Sequence, residues 1–152
     1  MHSYQPPLED FNFILHDFLK IEKENIKGYN DLLPEFTKTI FEEAGKLASE
    51  VISPSNRDGD EQGCKFENGV VRTPDSFKVA FDKLREGGWL SLDIEEEFGG
   101  QNLPLILSTV TNEMFTSANM SLTMYSGLSR GAYSAIFCLL YTSDAADEGH
   151  GV

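Results

Sequence analysis

Apolar residues recur every three or four positions along most of this chain. The longest stripe begins near Pro34 and continues for about five helical turns. It consists of Phe36, Ile40, Phe41, Ala44, Leu47, Ala48, Val51 and Ile52. Lysines and glutamates occupy the opposite side, as expected of a helix with one buried face. Pro54 is predicted to end this helix, because the residue before a proline avoids the α region.

Four more segments carry the same period. Behind Pro7, a first helix is predicted to bury Phe11, Ile14, Leu15, Phe18 and Leu19. Another has Thr73 as its N-cap and Pro74 at its first position, with Phe77, Ala80, Phe81 and Leu84 on one face. A third follows Pro104, with Leu107, Val110, Met114 and Ala118 inward and Ile106 and Phe115 at its edges. The last runs from about Asn119 to Phe137 and carries Leu122, Tyr125, Leu128, Ala132 and Ile136.

Signals for strands are almost absent. Asn68-Gly69 marks a tight turn, but its flanks are too short for more than a small hairpin. Four to five helices with so little strand predict an all-α fold, a helical bundle.

The stretch GGWLSLDIEEEFGGQNLP, residues 87 to 104, contains the chain's one tryptophan between two glycine pairs. Gly87-Gly88 is predicted to end one helix, because glycine adopts the left-handed conformation past a helix C-terminus without strain. Gly99-Gly100 turns the chain before Pro104 opens the next helix. The stretch is therefore interpreted as a helix-to-helix corner, with Trp89 filling the gap between the two helices.

Charge and composition restrict the function further. The chain has 152 residues, with 12 basic and 25 acidic side chains and a net charge of −13, which argues against a nucleic-acid partner. No apolar run approaches a membrane span, and the start lacks the basic and apolar regions of a secretory signal, so a cytoplasmic location is expected. Two separated cysteines and three scattered histidines predict no metal site.

Two short motifs resemble catalytic or metal-binding sequences. GLSRG, residues 127 to 131, has the G-x-S-x-G pattern of serine hydrolases, with Ser129 as the nucleophile and Asp144 or Asp147 followed by His150 downstream. No strand–helix alternation precedes it, so close packing of small residues on a helix is the favoured interpretation. DGDEQG, residues 58 to 63, imitates a calcium loop but has Gly69 where the bidentate glutamate belongs.

A family resemblance covers residues 3 to 137 in one colinear order. The stretch at 87 to 104 resembles the glycine-tryptophan to glycine-glycine segment of acyl-CoA dehydrogenases, although Asn102 stands where that family usually has glycine. Three further stretches, SYQPPLEDFNFIL, NRDGDEQGCKFENGVVRTPDSF and NEMFTSANMSLTMYSGLSRGAYSAI, are similar to the subgroup that includes methylmercaptopropionyl-CoA dehydrogenase. The resemblance implies the helical N-terminal domain of that family, without its β-domain and C-terminal four-helix bundle.

The resemblance also implies a chemistry. Members of the family are FAD enzymes of fatty acid metabolism that desaturate an acyl-CoA thioester between Cα and Cβ, with a glutamate removing the α proton and the flavin taking the β hydride. They form homo-oligomers and pass electrons to an electron-transfer acceptor. The base and the flavin-contacting strands belong to the later domains, so no catalytic residue is assigned to this chain and we expect it to be inactive alone. By resemblance, Met120, Met124 and Leu128 would line the far end of the acyl pocket, although ordinary core methionines would show the same spacing.

The division of the chain follows from the same comparison. Residues 1–33 are predicted to form an N-terminal helical extension and residues 34–137 the helical domain. Residues 138–152 depart from the family and look like translated adaptor sequence, which predicts a non-native tail. The alternative to an enzyme fragment is a self-sufficient helical module that binds a partner protein through exposed apolar surface.

Overall fold

The computed structural model describes residues 4–139. Six α-helices are found there: α1 (Leu8–Asn12), α2 (Pro34–Leu47), α3 (Ser53–Gln62), α4 (Asp75–Glu86), α5 (Leu105–Ala118) and α6 (Met120–Leu139). Strands β1 (Lys65–Glu67) and β2 (Val70–Arg72) form one antiparallel hairpin, in which Phe66 is paired with Val71. The predicted all-α bundle is confirmed, and so is the small size of the hairpin.

The long apolar stripe does form a helix, but Pro54 does not end it. α2 passes through a π-helical turn (Ala48–Ile52) directly into α3, and Pro54 lies in the first turn of α3. A proline inside a helix lacks an N–H and crowds the carbonyl one turn earlier. The wider π turn relieves both problems at this position. The prediction failed because it allowed for regular α geometry only.

The N-terminal helix is shorter and less buried than its pattern predicts. Of the five predicted positions, Phe11 and Leu15 are buried, whereas Ile14, Phe18 and Leu19 are exposed. Residues Phe13–Phe18 are π-helical, so each residue advances by a smaller angle and the α-period stripe no longer faces one side. Two 3₁₀ turns, Ile21–Lys23 and Tyr29–Asp31, then lead the chain to α2.

A buried histidine fastens this N-terminal segment to α2. His16 Nε2 lies 2.8 Å from Thr37 Oγ1, and His16 Nδ1 lies 3.2 Å from Glu22 Oε2. The pKa of the Glu22 carboxyl is held below its ordinary value, first by a hydrogen bond from its own backbone N–H and then by the one from His16. The three scattered histidines of the sequence gave no indication of this contact.

The glycine-rich corner folds back on itself. Gly88 and Gly99 have φ of 71° and 81°, and backbone N–H groups of Asn102 and Leu103 donate to Ile94 and Leu92 carbonyls at 2.8 Å. Asn102 occupies the position at which the family named above usually has glycine. Its φ is also positive, at 53°. Asparagine is among the few side chains that tolerate this conformation, so the substitution preserves the turn.

Trp89 occupies the position predicted for it. It is half-buried, and its ring meets Phe115 edge to face, with centroids 5.7 Å apart. Gly87 lies so close to the indole that a Cβ there would collide with it. The Gln101 side chain donates to the Gly88 carbonyl at 3.0 Å and so joins the two glycine pairs.

Helix α5 is the centre of the bundle and α6 lies at its edge. Leu107, Val110, Met114 and Ala118 are buried as predicted, but Phe115 is also buried and does not lie at an edge. On α6, Leu122 is buried, whereas Tyr125, Leu128, Ala132 and Ile136 are exposed, so the apolar period of this segment does not correspond to a buried face beyond the first turn. The reason is that the other described elements offer α6 too little surface to cover its full length.

Asn119 holds the start of α6. Its extended backbone and its Oδ1, which accepts a hydrogen bond from the Leu122 N–H at 3.1 Å, make it the N-cap. Its Nδ2 donates to Ser55 Oγ of α3 at 2.9 Å, and both side chains are buried. One amide therefore caps α6 and ties it to α3.

Replacing Asn119 by alanine is expected to lower the free energy of unfolding by about 2 kcal/mol, because a cap is lost and the hydroxyl of Ser55 loses a partner. Denaturant titration followed by circular dichroism would measure this change. Asn119→Ser is the matched control: it keeps a capping oxygen but cannot reach Ser55, so its loss should be about half as large. Equal losses would show that the capping bond to Leu122 contributes nothing, and an unchanged stability in Asn119→Ser would show the same for the Ser55 contact.

Candidate functional site

A cavity of about 370 Å³ opens where the glycine-rich corner meets α5 and α6. Its apolar side is formed by Leu84, Trp89, Leu90, Phe115, Met120 and Met124. Its other lining residues are Ser108, Thr111, Asn112, Thr116, Thr123, Ser126, Gly127 and Arg130. The volume lies within the range of small-molecule sites, and such sites combine apolar walls with a few polar groups in this way.

The hydroxyl groups in this lining are occupied within the protein. Ser108, Thr111 and Ser126 donate to backbone carbonyls of Leu105, Ser108 and Thr123 at 3.1–3.3 Å, the usual arrangement of such side chains in helices. The Thr123 hydroxyl lies 3.0 Å from the Met120 carbonyl and 3.3 Å from the Thr116 hydroxyl. Because these groups already have partners, the cavity does not require a polar ligand.

The basic residue of the lining, Arg130, has a carboxylate partner. Its two terminal nitrogens bind the two oxygens of Asp93 at 2.6 and 2.5 Å, and the side chain of Asp93 is only 14% exposed. This bidentate geometry, with two parallel N–H···O bonds, is a strong and directional form of ion pair. It connects the corner to α6 and offsets the positive charge at the mouth of the cavity.

A second set of contacts fixes the corner to α6 beyond Arg130. The Tyr133 hydroxyl donates to Glu95, and Phe98 packs edge-on against Tyr133 and Phe137, with centroids 6.0 and 6.3 Å apart. Loss of solvent around the ring and the bond to Glu95 raise the pKa of the Tyr133 phenol. The three consecutive glutamates at 95–97 are thus partly structural, which the sequence did not reveal.

Of the three residues predicted to line an acyl pocket, two lie at the cavity and one lies outside its lining. Met120 and Met124 contact the cavity, although their side chains also remain 62% and 66% exposed on its open side. Leu128 is outside the lining and 82% exposed. Leu128 lies one turn beyond Met124 on α6 and about 40° further round the helix, just past the edge of the face that lines the cavity. Trp89, Phe115 and Arg130 were not predicted as lining residues, because they are distant in sequence and meet only in the folded chain.

Other predicted or rejected sites can be placed as well. Ser129 lies inside α6 and not on a strand-to-helix turn, so the geometry of a hydrolase nucleophile is missing. Asp144, Asp147 and His150 lie outside the described residues. Asp58 to Gln62 form the end of α3 and not an open calcium loop. Within residues 4–139, no three potential metal ligands come together, and no helix has the length and hydropathy to span a bilayer.

Comparison with known proteins gives a consistent result. Residues 34–145 match the family described as acyl-CoA dehydrogenase, N-terminal domain. The chain is 31% identical over 135 residues to 3-methylmercaptopropionyl-CoA dehydrogenase of Ruegeria pomeroyi, covering 88% of this chain and 23% of that protein. It is 27% identical over 130 residues to the broad-specificity linear acyl-CoA dehydrogenase FadE5 of Mycobacterium tuberculosis, covering 84% and 21%.

A third relative is a butyryl-CoA dehydrogenase of Syntrophomonas wolfei, 28% identical over 143 residues, with 88% of this chain and 23% of that protein covered. The chain thus spans less than a quarter of the length of these curated relatives.

Proposed function

We propose that this chain, which belongs to the acyl-CoA dehydrogenase family through its N-terminal domain, supplies the wall of an acyl-chain pocket to an enzyme that desaturates acyl-CoA thioesters between Cα and Cβ. The observation that supports this role is the cavity beneath the corner, where Trp89, Phe115, Met120 and Met124 present apolar surface. Methionine side chains suit an alkyl chain because they adapt to irregular shapes. The hydroxyl groups of the lining do not oppose the binding of an alkyl chain, because they already form hydrogen bonds within their own helices.

The lining of this cavity does not provide a binding site for the phosphates of the family's flavin. A phosphate-binding site needs cationic or backbone N–H donors, and the Arg130 guanidinium in the cavity is already bound to Asp93. We therefore assign no FAD-binding residue and no catalytic residue to residues 4–139. In the proposed complete enzyme, FAD held by other segments would supply the hydride acceptor, while this chain orients the acyl tail and excludes water around it.

Several further features belong to the same proposal. The complete enzyme acts in the cytoplasm as a homo-oligomer and passes electrons to an electron-transfer acceptor. Residues 1–33 form an extension, residues 34–137 the helical domain, and residues 138–152 a non-native tail that lies almost wholly outside the described residues. The chain alone is proposed to be inactive.

The pocket can be tested through its own fluorophore, since Trp89 is the single tryptophan. Titration of the purified chain with decanoyl-CoA should give a saturable change in Trp89 emission, and coenzyme A without the acyl chain should give none. Met124→Ala is expected to weaken decanoyl-CoA binding about tenfold, because it removes apolar contact in the pocket.

Leu128→Ala is the matched control on the same helix and should change the affinity less than twofold. If coenzyme A alone changes the emission equally, or if both variants behave alike, the cavity is not the acyl site.

The absence of bound flavin and of acyl-CoA oxidation with an artificial acceptor would agree with an inactive chain. Stoichiometric FAD after purification would contradict the proposed location of the flavin site outside this chain.

A further inference from the structure

A second concave surface, which shares no lining residue with the cavity, lies between α1 with its π-helical continuation and the start of α2. This N-terminal groove has a volume of about 540 Å³. Its floor contains the buried ring of Phe41, and Phe13, which is 58% exposed, projects at its side. Phe13 therefore adds exposed aromatic surface to the edge of the groove.

Both walls of the N-terminal groove carry carboxylates. Glu9 and Asp17 stand on one wall, four residues before and after Phe13, and Glu35 and Glu42 stand on the other. Lys38 lies between the last two in sequence, and its ammonium is 3.8 Å from the Glu42 carboxylate. The groove therefore combines an apolar floor with a clear excess of negative charge.

This combination disfavours several occupants. Acyl-CoA carries phosphates and a bilayer surface is often anionic, so both are repelled by these walls. A second copy of the chain would bring another net charge of −13. A complementary partner has apolar side chains for the floor and cationic ones for the walls.

We infer that the N-terminal groove binds a basic amphipathic helix of a partner protein. The wall from Pro34 to Glu42 is about 12 Å long, which matches two turns of a helix. Helix-in-groove recognition places apolar anchors in the groove, while flanking charges determine the partner. This inference does not depend on the acyl pocket, which lies between the corner, α5 and α6.

The probe is a fluorescein-labelled 18-residue peptide with leucines on one helical face and lysines on the other, followed by fluorescence anisotropy at 0.15 M salt. The triple variant Glu9→Gln, Asp17→Asn, Glu35→Gln should weaken binding at least tenfold. The control variant Asp60→Asn, Glu67→Gln, Glu97→Gln removes the same charge elsewhere and should weaken it less than twofold. All six side chains are exposed, so both variants should retain the parent's helical circular dichroism.

Phe13→Ser should also reduce the affinity, because the apolar contact is then missing. Equal losses in the two triple variants would overturn the inference, since binding would then reflect net charge alone. A peptide of the same composition without an apolar face that bound equally well would also overturn it. So would a dimer in sedimentation that Phe13→Ser dissolves, because a second copy would then be the occupant.

Discussion

Replacing Phe115 by alanine is expected to destabilise the chain by about 3–5 kcal/mol, the usual range for a buried phenylalanine. Phe115 is 3% exposed, contacts Trp89 edge to face, and lies on α5, the helix at the centre of the bundle. Truncation removes apolar surface from the core and also takes away the ring that supports the corner. Urea unfolding, followed by far-ultraviolet circular dichroism and by Trp89 emission, measures both effects.

The control for this prediction is Phe115→Leu, which keeps much of the volume and should cost clearly less. In the alanine variant Trp89 emission should shift to longer wavelength before global unfolding, because the indole gains access to water. If Phe115→Ala cost less than 1 kcal/mol, the burial of this ring and the contact with Trp89 would both be wrong.

Replacing Gly100 by alanine is expected to cost about 3 kcal/mol through overpacking. A Cβ at Gly100 would overlap the backbone carbonyl of Ile94, whose oxygen accepts the Asn102 N–H that closes the corner. Backbone cannot move aside as a flexible side chain can. The change should therefore open the corner and weaken the contacts of Asp93 and Glu95 with α6.

The neighbouring glycine provides a matched comparison. Gly99 has a φ of 81°, but nothing lies within 4 Å of a Cβ built there, so Gly99→Ala should cost only the strain of the left-handed conformation, about 1 kcal/mol. Thermal unfolding of the two variants separates steric overlap from backbone preference. A larger loss at Gly99 than at Gly100 would contradict the described path of the chain.

The sequence was informative wherever a local rule determined the structure. The apolar period located α2, α4 and α5, the Asn68-Gly69 turn located the hairpin, and the glycine pairs located the corner around Trp89. The limits of α4 differ from the prediction by one residue, because Pro74 serves as the N-cap in place of Thr73.

The features that were missed depend on packing between distant segments. Periodicity cannot show that a π turn carries a helix past Pro54, or that α6 extends beyond the surface that could bury it. Arg130 and Asp93 are 37 residues apart, and no local pattern associates them. The same limit applies to the cavity: its methionines were selected by resemblance, whereas Trp89 and Phe115 became lining residues only when the corner was seen to fold over α5.

The buried cluster has a consequence for how this chain can be divided. Phe11, Leu15, Ile21 and Leu32 share one continuous core with Phe41 and the residues of α5, although the match to the family's N-terminal domain begins only at residue 34. A truncated protein starting at Pro34 would expose the hydrophobic surface that those four side chains cover. The residue at which a domain match begins is therefore no guide to which segments unfold cooperatively, and the leading segment must be retained in any minimal version of this protein.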